Sequence, residues 1–251
     1  MNEADELRQE LSAIVAEAGQ WAQSRRADVG YEVKPDGSLV TPVDREVEHW
    51  LRDRLQRLTP GAAFHGEETT PEGEATKGIW FVDPIDGTTN YIFGGPYWGI
   101  SAAFAQNGNI EAGVVALPDL KEVYSGARGA GARLNGRELA RMTSGPIQPY
   151  EPVAYCESLV RALGSERLPG AQRCPGAFVV SGGFVASGRF RGLLGNRESI
   201  HDIAATWLIL TELGADVRFA DGEPMHLADV QKAERIARPF AMFPPNSGFF
   251  G

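Results

Sequence analysis

Apolar residues near the start of the chain fall at helical spacing. Leu7, Leu11, Ile14, Val15, Ala18, Trp21 and Ala22 recur at intervals of three and four, which predicts an amphipathic helix. A second helix is predicted from Thr41-Pro42, with Thr as N-cap and proline in the first position. Its buried stripe is Val47, Leu51, Leu55 and Leu58, and Thr59-Pro60-Gly61 ends it. Between the two, Lys34-Pro35-Asp36-Gly37-Ser38 has the composition of a turn. The texture then becomes strand-like over Ile79–Val82, Trp98–Ala105, Ile110–Leu117 and Glu122–Ala127. The last two form an antiparallel hairpin about Pro118-Asp119. A Pro/Ser/Gly stretch from Arg141 to Glu151 marks a junction between residues 1–143 and 144–251. Beyond it, strands at Val153–Cys156, Phe190–Leu194 and Asp216–Phe219 alternate with helices at Gly176–Ser187 and Asp202–Leu213, the latter ended by Gly214. The tail from Met242 to Gly248 contains Pro244-Pro245 and is not helical. The pattern is that of two helices on a mostly antiparallel sheet, followed by a second α/β half.

Composition narrows the class. The 251 residues are 43% hydrophobic and 23% charged, values of a folded chain long enough to bury a large core. A nucleic-acid binder normally shows a basic face, and with a net charge of −9 nucleic acid is not an expected partner. The acidic N-terminus has no apolar leader, and no apolar run approaches the roughly 18 residues of a membrane span. The expectation is a cytoplasmic protein that does not engage a membrane. The two cysteines, Cys156 and Cys174, read as small buried hydrophobes. Trp98, Trp207 and Phe184 read as core, and Asp119, Glu122 and Arg128 as a solvated hairpin edge.

Three segments place acids in loops beside apolar strands: Gly66-Glu67-Glu68, the run from Trp80 to Tyr91, and Ser199 to Ala205. Singly, each has an ordinary reading: a solvated glutamate pair, Asp-Pro and Asp-Gly turns, and a helix cap or capping box at Ser199/Asp202. Together they suggest more. The strand Ile79–Val82 delivers Asp83 and Asp86 into a turn stiffened by Pro84. Gly87 permits close backbone approach, and Thr88-Thr89-Asn90 resembles a helix start whose free N–H groups suit phosphate. Oxygen ligands without His or Cys suit Mg2+. His65 and His201 flank two of these loops and are read as packing or hydrogen-bonding residues.

These residues carry a family resemblance. The run Trp80-x-Val82-Asp83-Pro84-Ile85-Asp86-Gly87-Thr88-Thr89-Asn90-Tyr91 resembles the central motif of the inositol monophosphatase family, within the Mg2+-dependent, Li+-sensitive sugar phosphatases. Gly66-Glu67-Glu68, the segment Asp202 to Ala215, and Lys34 with Leu39–Asp44 fit the family's other motifs, so the likeness spans nearly the whole chain. It implies an α/β fold layered α-β-α-β-α, with the active site between the halves. It implies hydrolysis of a small phosphate monoester, inositol monophosphate leading. Glu67, Asp83 and the Ile85 carbonyl would hold one Mg2+, and Asp83, Asp86 and Asp202 a second; a third, weaker ion near Glu67 is also allowed. Gly87 and Thr88 amides would bind phosphate, with Asp86 and Asp202 beside the substrate. Thr88, paired with Asp44, would orient the attacking water, and Glu67 would share in catalysis. A homodimer is implied as well. Fructose bisphosphate, histidinol phosphate, nucleotide 3′-phosphate or NADP are alternative substrates, and a non-catalytic role in a larger complex is an alternative to catalysis.

Two departures stand out. Where the family places a glutamate that contacts inositol hydroxyls, this chain has Gly195, and Glu198 three residues on is the candidate replacement. The non-helical tail also replaces the family's closing helix.

Overall fold

The computed structural model describes residues 2–27, 29–70, 72–73, 75–156, 158–160, 168–231 and 235–249. Helix α1 (Glu3–Ser24) begins where the Asn2 side chain accepts the Asp5 N–H at 2.8 Å. The short strands β1 (Glu32–Val33) and β2 (Leu39–Val40) pair around the Lys34–Ser38 turn, which Gly37 N–H closes onto Lys34 O at 2.9 Å. Helix α2 (Pro42–Leu58) starts on a reciprocal cap: Asp44 accepts the Thr41 N–H at 2.9 Å, and the Thr41 hydroxyl accepts the Asp44 N–H at 3.3 Å.

A seven-stranded sheet runs in the order β3 (Ala63–Gly66), β4 (Ile79–Asp86), β5 (Gly99–Gln106), β6 (Asn109–Leu117), β7 (Glu122–Ala127), β8 (Ala132–Leu134), β9 (Arg137–Glu138). Only the β3–β4 pair is parallel among these neighbours. The hairpin between β6 and β7 turns through a 3₁₀ segment, Pro118–Leu120. Side chains alternate across β4. Trp80 and Val82 join the α1–α2 cluster with Leu11, Val15, Val47 and Leu51, while Phe81 faces the opposite layer. The strand also runs past its expected end at Val82: Asp83 still pairs with Ser101 and Asp86 with Gly99, with an irregularity between them. Pro84 lies in that irregularity, where a residue without an N–H cannot continue the ladder.

Helices α4 (Phe178–Ala186) and α5 (Ile200–Glu212) form the middle layer; the five-residue helix α3 (Thr88–Ile92) precedes β5. The α5 helix packs on β4 to β7, and Gly113 permits the approach, since a Cβ there would lie 2.8 Å from Ala205 Cα. Beyond lies a five-stranded mixed sheet ordered β11 (Ala171–Arg173), β10 (Pro152–Tyr155), β12 (Gly192–Gly195), β14 (Phe240–Phe243), β13 (Asp216–Phe219). Its far face carries Val153, Tyr155, Leu194 and Phe243 against Leu159, completing the α-β-α-β-α layering. A short helix α6 (Leu227–Val230) precedes β14. The sequence pattern does not reveal β14. Its second half, Met242-Phe243, reads as tail, yet all four residues between Pro239 and Pro244 have zero exposure, inserted antiparallel between β12 and β13.

Candidate active site

The expected acids meet where several element ends converge. Asp83, Ile85 and Asp86 close β4, Gly87 and Thr88 open α3, and Asp202 lies in the first turn of α5. Glu67 and Glu68 follow β3, and Asp44 lies in the first turn of α2. Asp83 is buried, and its Oδ1 accepts the Ile85 N–H at 2.9 Å. Asp86 accepts the Val179 N–H at 2.6 Å. Asp202 accepts the Ser199 N–H at 2.7 Å, so the capping-box reading of Ser199/Asp202 holds beside any role in the site. Gly87 sits at φ +82, and a Cβ there would lie 2.8 Å from Ala177 Cβ and 2.9 Å from Tyr97 O, which suits glycine alone.

Thr88 Oγ1 lies 2.9 Å from Ile85 O and 3.3 Å from Asp44 Oδ1. Asp44 has zero exposure, and its other oxygen is committed to Thr41. Burial pushes its carboxyl up to about 6. Lys34 Nζ reaches Glu67 at 3.0 Å and Glu68 at 2.5 Å. Burial works against the Lys34 charge, but the two glutamates hold it on.

Burial, reinforced by mutual repulsion, sets the rest. Burial, then Glu67, Asp86, Asp202 and Asp44, raise Asp83 far above the carboxylate range. Burial and Asp202 raise Asp86 to about 8, and burial raises Asp202. The His201 ring, 3.2 Å from Asp202, works the other way. Among the described residues, no three Asp, Glu, His or Cys groups close around one point tightly enough to enclose an ion. The donor set is nevertheless hard oxygen, with more buried negative charge than Lys34 offsets, and this chemistry fits Mg2+.

A cavity of about 470 Å³ opens beside Asp86, lined by Cys156, Ser181, Asn196, Glu198 and Arg235 among others. Burial, Asp202 and Asp86 raise the Glu198 carboxyl. Gly195 does not face free space: a Cβ there would lie 2.3 Å from Phe240 Cζ. At the cavity mouth Arg235 pairs with Asp36 at 3.0 Å, bridging the β1–β2 turn to the segment before β14.

Several roles were not visible in sequence. Glu48, with zero exposure, accepts the Glu68 N–H at 2.8 Å and the Thr69 hydroxyl at 2.5 Å, fixing the Glu67-Glu68 loop. Gly66 makes room for it, since a Cβ would lie 2.3 Å from Glu48 Cδ. Its place on the buried stripe of α2, one residue after Val47, was the available signal. Asp119 is not a solvated edge residue; it holds Arg26 at 2.5 Å and the Trp98 indole N–H at 2.9 Å. Neither cysteine is fully buried: Cys156 is half-buried and Cys174 exposed. Trp207 is half-buried at the edge of the cluster between the two sheets, whereas Trp98 is fully enclosed in the α1–α2 cluster. His65 and His201 stack edge to face, their centroids 5.8 Å apart.

A model of the inositol monophosphatase family matches residues 3–238. Inositol-1-monophosphatase of Mesorhizobium japonicum is 35% identical over 58% of this chain and 57% of its own length. Inositol monophosphatase 1 of Sus scrofa is 30% identical over 82% of this chain and 83% of its own. The solved structure of Mycobacterium tuberculosis SuhB superposes with a TM-score of 0.77 at 29% identity, covering 98% of this chain and 93% of that one. The chain spans little more than half the length of two of the bacterial sequence relatives, 57% and 56%.

Proposed function

The chain belongs to the inositol monophosphatase family, and on that premise we propose that it hydrolyses a small phosphate monoester, with inositol monophosphate as the leading substrate. The observation that carries the reading is the convergence of the element ends bearing Asp83, Asp86, Asp202 and Glu67 beside the Thr88–Asp44 pair. Such a cluster calls for cations, and the family supplies Mg2+. Glu67, Asp83 and the Ile85 carbonyl would hold one ion, and Asp83, Asp86 and Asp202 the second, with a third, weaker ion near Glu67. Bound Mg2+ supplies charge stabilisation for phosphate and makes a water acidic enough to react near neutrality.

The chain's own groups then divide the work. Gly87 and Thr88 amides would donate to the phosphate oxygens. The Thr88 hydroxyl has a single proton and two acceptors within reach, Ile85 O and Asp44 Oδ1. Donating it to Asp44 leaves a Thr88 lone pair free to accept a hydrogen bond from water and so orient it. Asp44 must be ionised for this. Lys34 holds Glu67 and Glu68 in place. The cavity beside Asp86 receives the alcohol part of the substrate, where Glu198 and Asn196 offer acceptors to hydroxyl groups. Inhibition by Li+ at the Asp86/Asp202 site, a homodimer and a cytoplasmic setting complete the proposal and rest on the family resemblance.

The test is phosphate release from a panel of inositol 1-phosphate, glycerol 2-phosphate, fructose bisphosphate, histidinol phosphate, nucleotide 3′-phosphate and NADP at saturating Mg2+. Release from one or more is expected; release from none would favour a binding role.

A further inference from the structure

We propose that Arg26, two residues beyond the end of α1, is a positioning residue that acts on the Thr88–Asp44 pair through helix α3; the inference rests on the phosphatase reading above. A five-residue helix cannot hold itself together, because the nucleation cost is spread over too few hydrogen bonds. Its last carbonyls need partners from elsewhere. Local backbone supplies some, Gly95 N–H to Asn90 O at 2.8 Å and Gly94 N–H to Tyr91 O at a long 3.4 Å, and Arg26 adds the rest: Nε donates to Tyr91 O at 2.6 Å, and Nη2 to Asn90 O at 2.8 Å and, just past the helix, to Gly95 O at 2.5 Å. A cation at this end also opposes the negative pole of the helix.

The guanidinium is itself fixed. Nη1 donates to Asp119 Oδ2 at 2.5 Å, and the same carboxylate accepts from Trp98 Nε1 at 2.9 Å and Gln23 Nε2 at 2.6 Å. Arg26 lies over the Tyr91 ring at 5.4 Å, and the Tyr91 hydroxyl donates to Ala22 O at 2.7 Å. Gly19 allows α1 to lie against the 3₁₀ turn that presents Asp119; a Cβ there would lie 2.8 Å from Pro118 Cγ. One planar fork thereby joins α1, the 3₁₀ turn and the far end of α3. A lysine, with a single ammonium centre, cannot reproduce that fork.

The near end of α3 is Thr88, whose contact with Asp44 is 3.3 Å, close to the limit of a hydrogen bond. A drift of a few tenths of an ångström at α3 breaks it. Displacements on the order of 1 Å remote from the reacting atoms can cost about a hundredfold in rate.

Arg26→Gln, Arg26→Lys, Thr88→Val and Arg26→Gln/Thr88→Val are compared with the wild type on inositol 1-phosphate at saturating Mg2+. Both Arg26 variants are expected to lose roughly tenfold to a hundredfold in kcat, with KM and the Mg2+ half-saturation within about twofold of wild type. The double variant is expected to be no slower than Thr88→Val alone, because both changes remove one interaction. Hydrogen exchange at Tyr91 and Ile92 is expected to accelerate in Arg26→Lys while the α1 and α2 amides stay protected. Unchanged kcat in a folded Arg26 variant, losses that multiply in the double variant, or uniform exchange across the fold would overturn the proposal. A wild type that releases no phosphate overturns the phosphatase reading instead, and exchange at Tyr91 and Ile92 still decides whether Arg26 holds α3.

Discussion

The carboxylate of Asp86 accepts the backbone N–H of Val179 at 2.6 Å, so the acid that ends β4 also caps α4. Ala177, at the N-cap position of α4, has no side chain able to do this. The site and the helix between the two sheets thus share one ionisable group, and the charge of the site is tied to the stability of the fold.

That tie has a pH signature in metal-free protein. Asp86 is raised to about 8, and Asp83 and Asp202 are raised as well, all from an unfolded value near 3.8. Folded protein therefore binds more protons than unfolded protein between these values. The stabilising contribution is complete below about pH 3.8 and is lost as pH rises through about 8. Thermal melts in chelator should show a lower Tm at pH 8.5 than at pH 5.5. Mg2+ should raise Tm more at the higher pH. A metal-free Tm that climbs with pH would contradict the assignment.

Thr88→Val and Asp44→Asn should each lower kcat by about a hundredfold to a thousandfold, the range of a positioned proton-transfer group. Both should leave the Mg2+ half-saturation within a few fold of wild type. Steady-state kinetics across a Mg2+ titration separates the two effects; a large shift in Mg2+ dependence with kcat intact would move Asp44 into the metal shell.

Gly195→Ala should destabilise the fold by about 1–3 kcal/mol, because the added Cβ meets Phe240, which has zero exposure and no room to yield. Gly195→Glu should be worse still and should not confer tighter selectivity for inositol phosphate. A denaturant titration measures the first, and relative kcat/KM the second. A stable Gly195→Ala variant would show that Phe240 can be displaced.

Selectivity among monoesters should be broad. Without a carboxylate at Gly195, hydroxyl recognition would fall to Glu198 and its neighbours, which line the cavity. Phosphate and metal contacts are common to every monoester and cannot separate one alcohol from another. Inositol 1-phosphate and glycerol 2-phosphate should differ by about tenfold to a hundredfold in kcat/KM, roughly 1.4–2.8 kcal/mol. Glu198→Gln should narrow the gap. A preference beyond about 10⁴-fold would mean that a residue outside this set reads the substrate.

Long periodic segments were legible in sequence. The stripe Val47, Leu51, Leu55 and the runs that became β5, β6 and β7 report burial directly, because one face or both are apolar. The acids were legible because Asp83, Asp86 and Gly87 sit in one contiguous motif. What stayed hidden depends on contacts distant in sequence. Strand β14 is specified by the gap between β12 and β13, not by its own four residues. Glu48 and Asp119 look like ordinary surface acids until the loop or the arginine that each one holds is in place.

The central claim is that Asp83 belongs to a cation-dependent phosphate-transferring site. The most direct measurement is Mg2+-dependent phosphate release from inositol 1-phosphate by wild type and Asp83→Asn, with thermal melts confirming that both are folded. Wild-type release should vanish in chelator and return with Mg2+. Asp83→Asn should lose on the order of 10³ or more in kcat, as expected when several kcal/mol of charge stabilisation are removed. Near-normal turnover by folded Asp83→Asn, or full wild-type activity in chelator, would contradict the account.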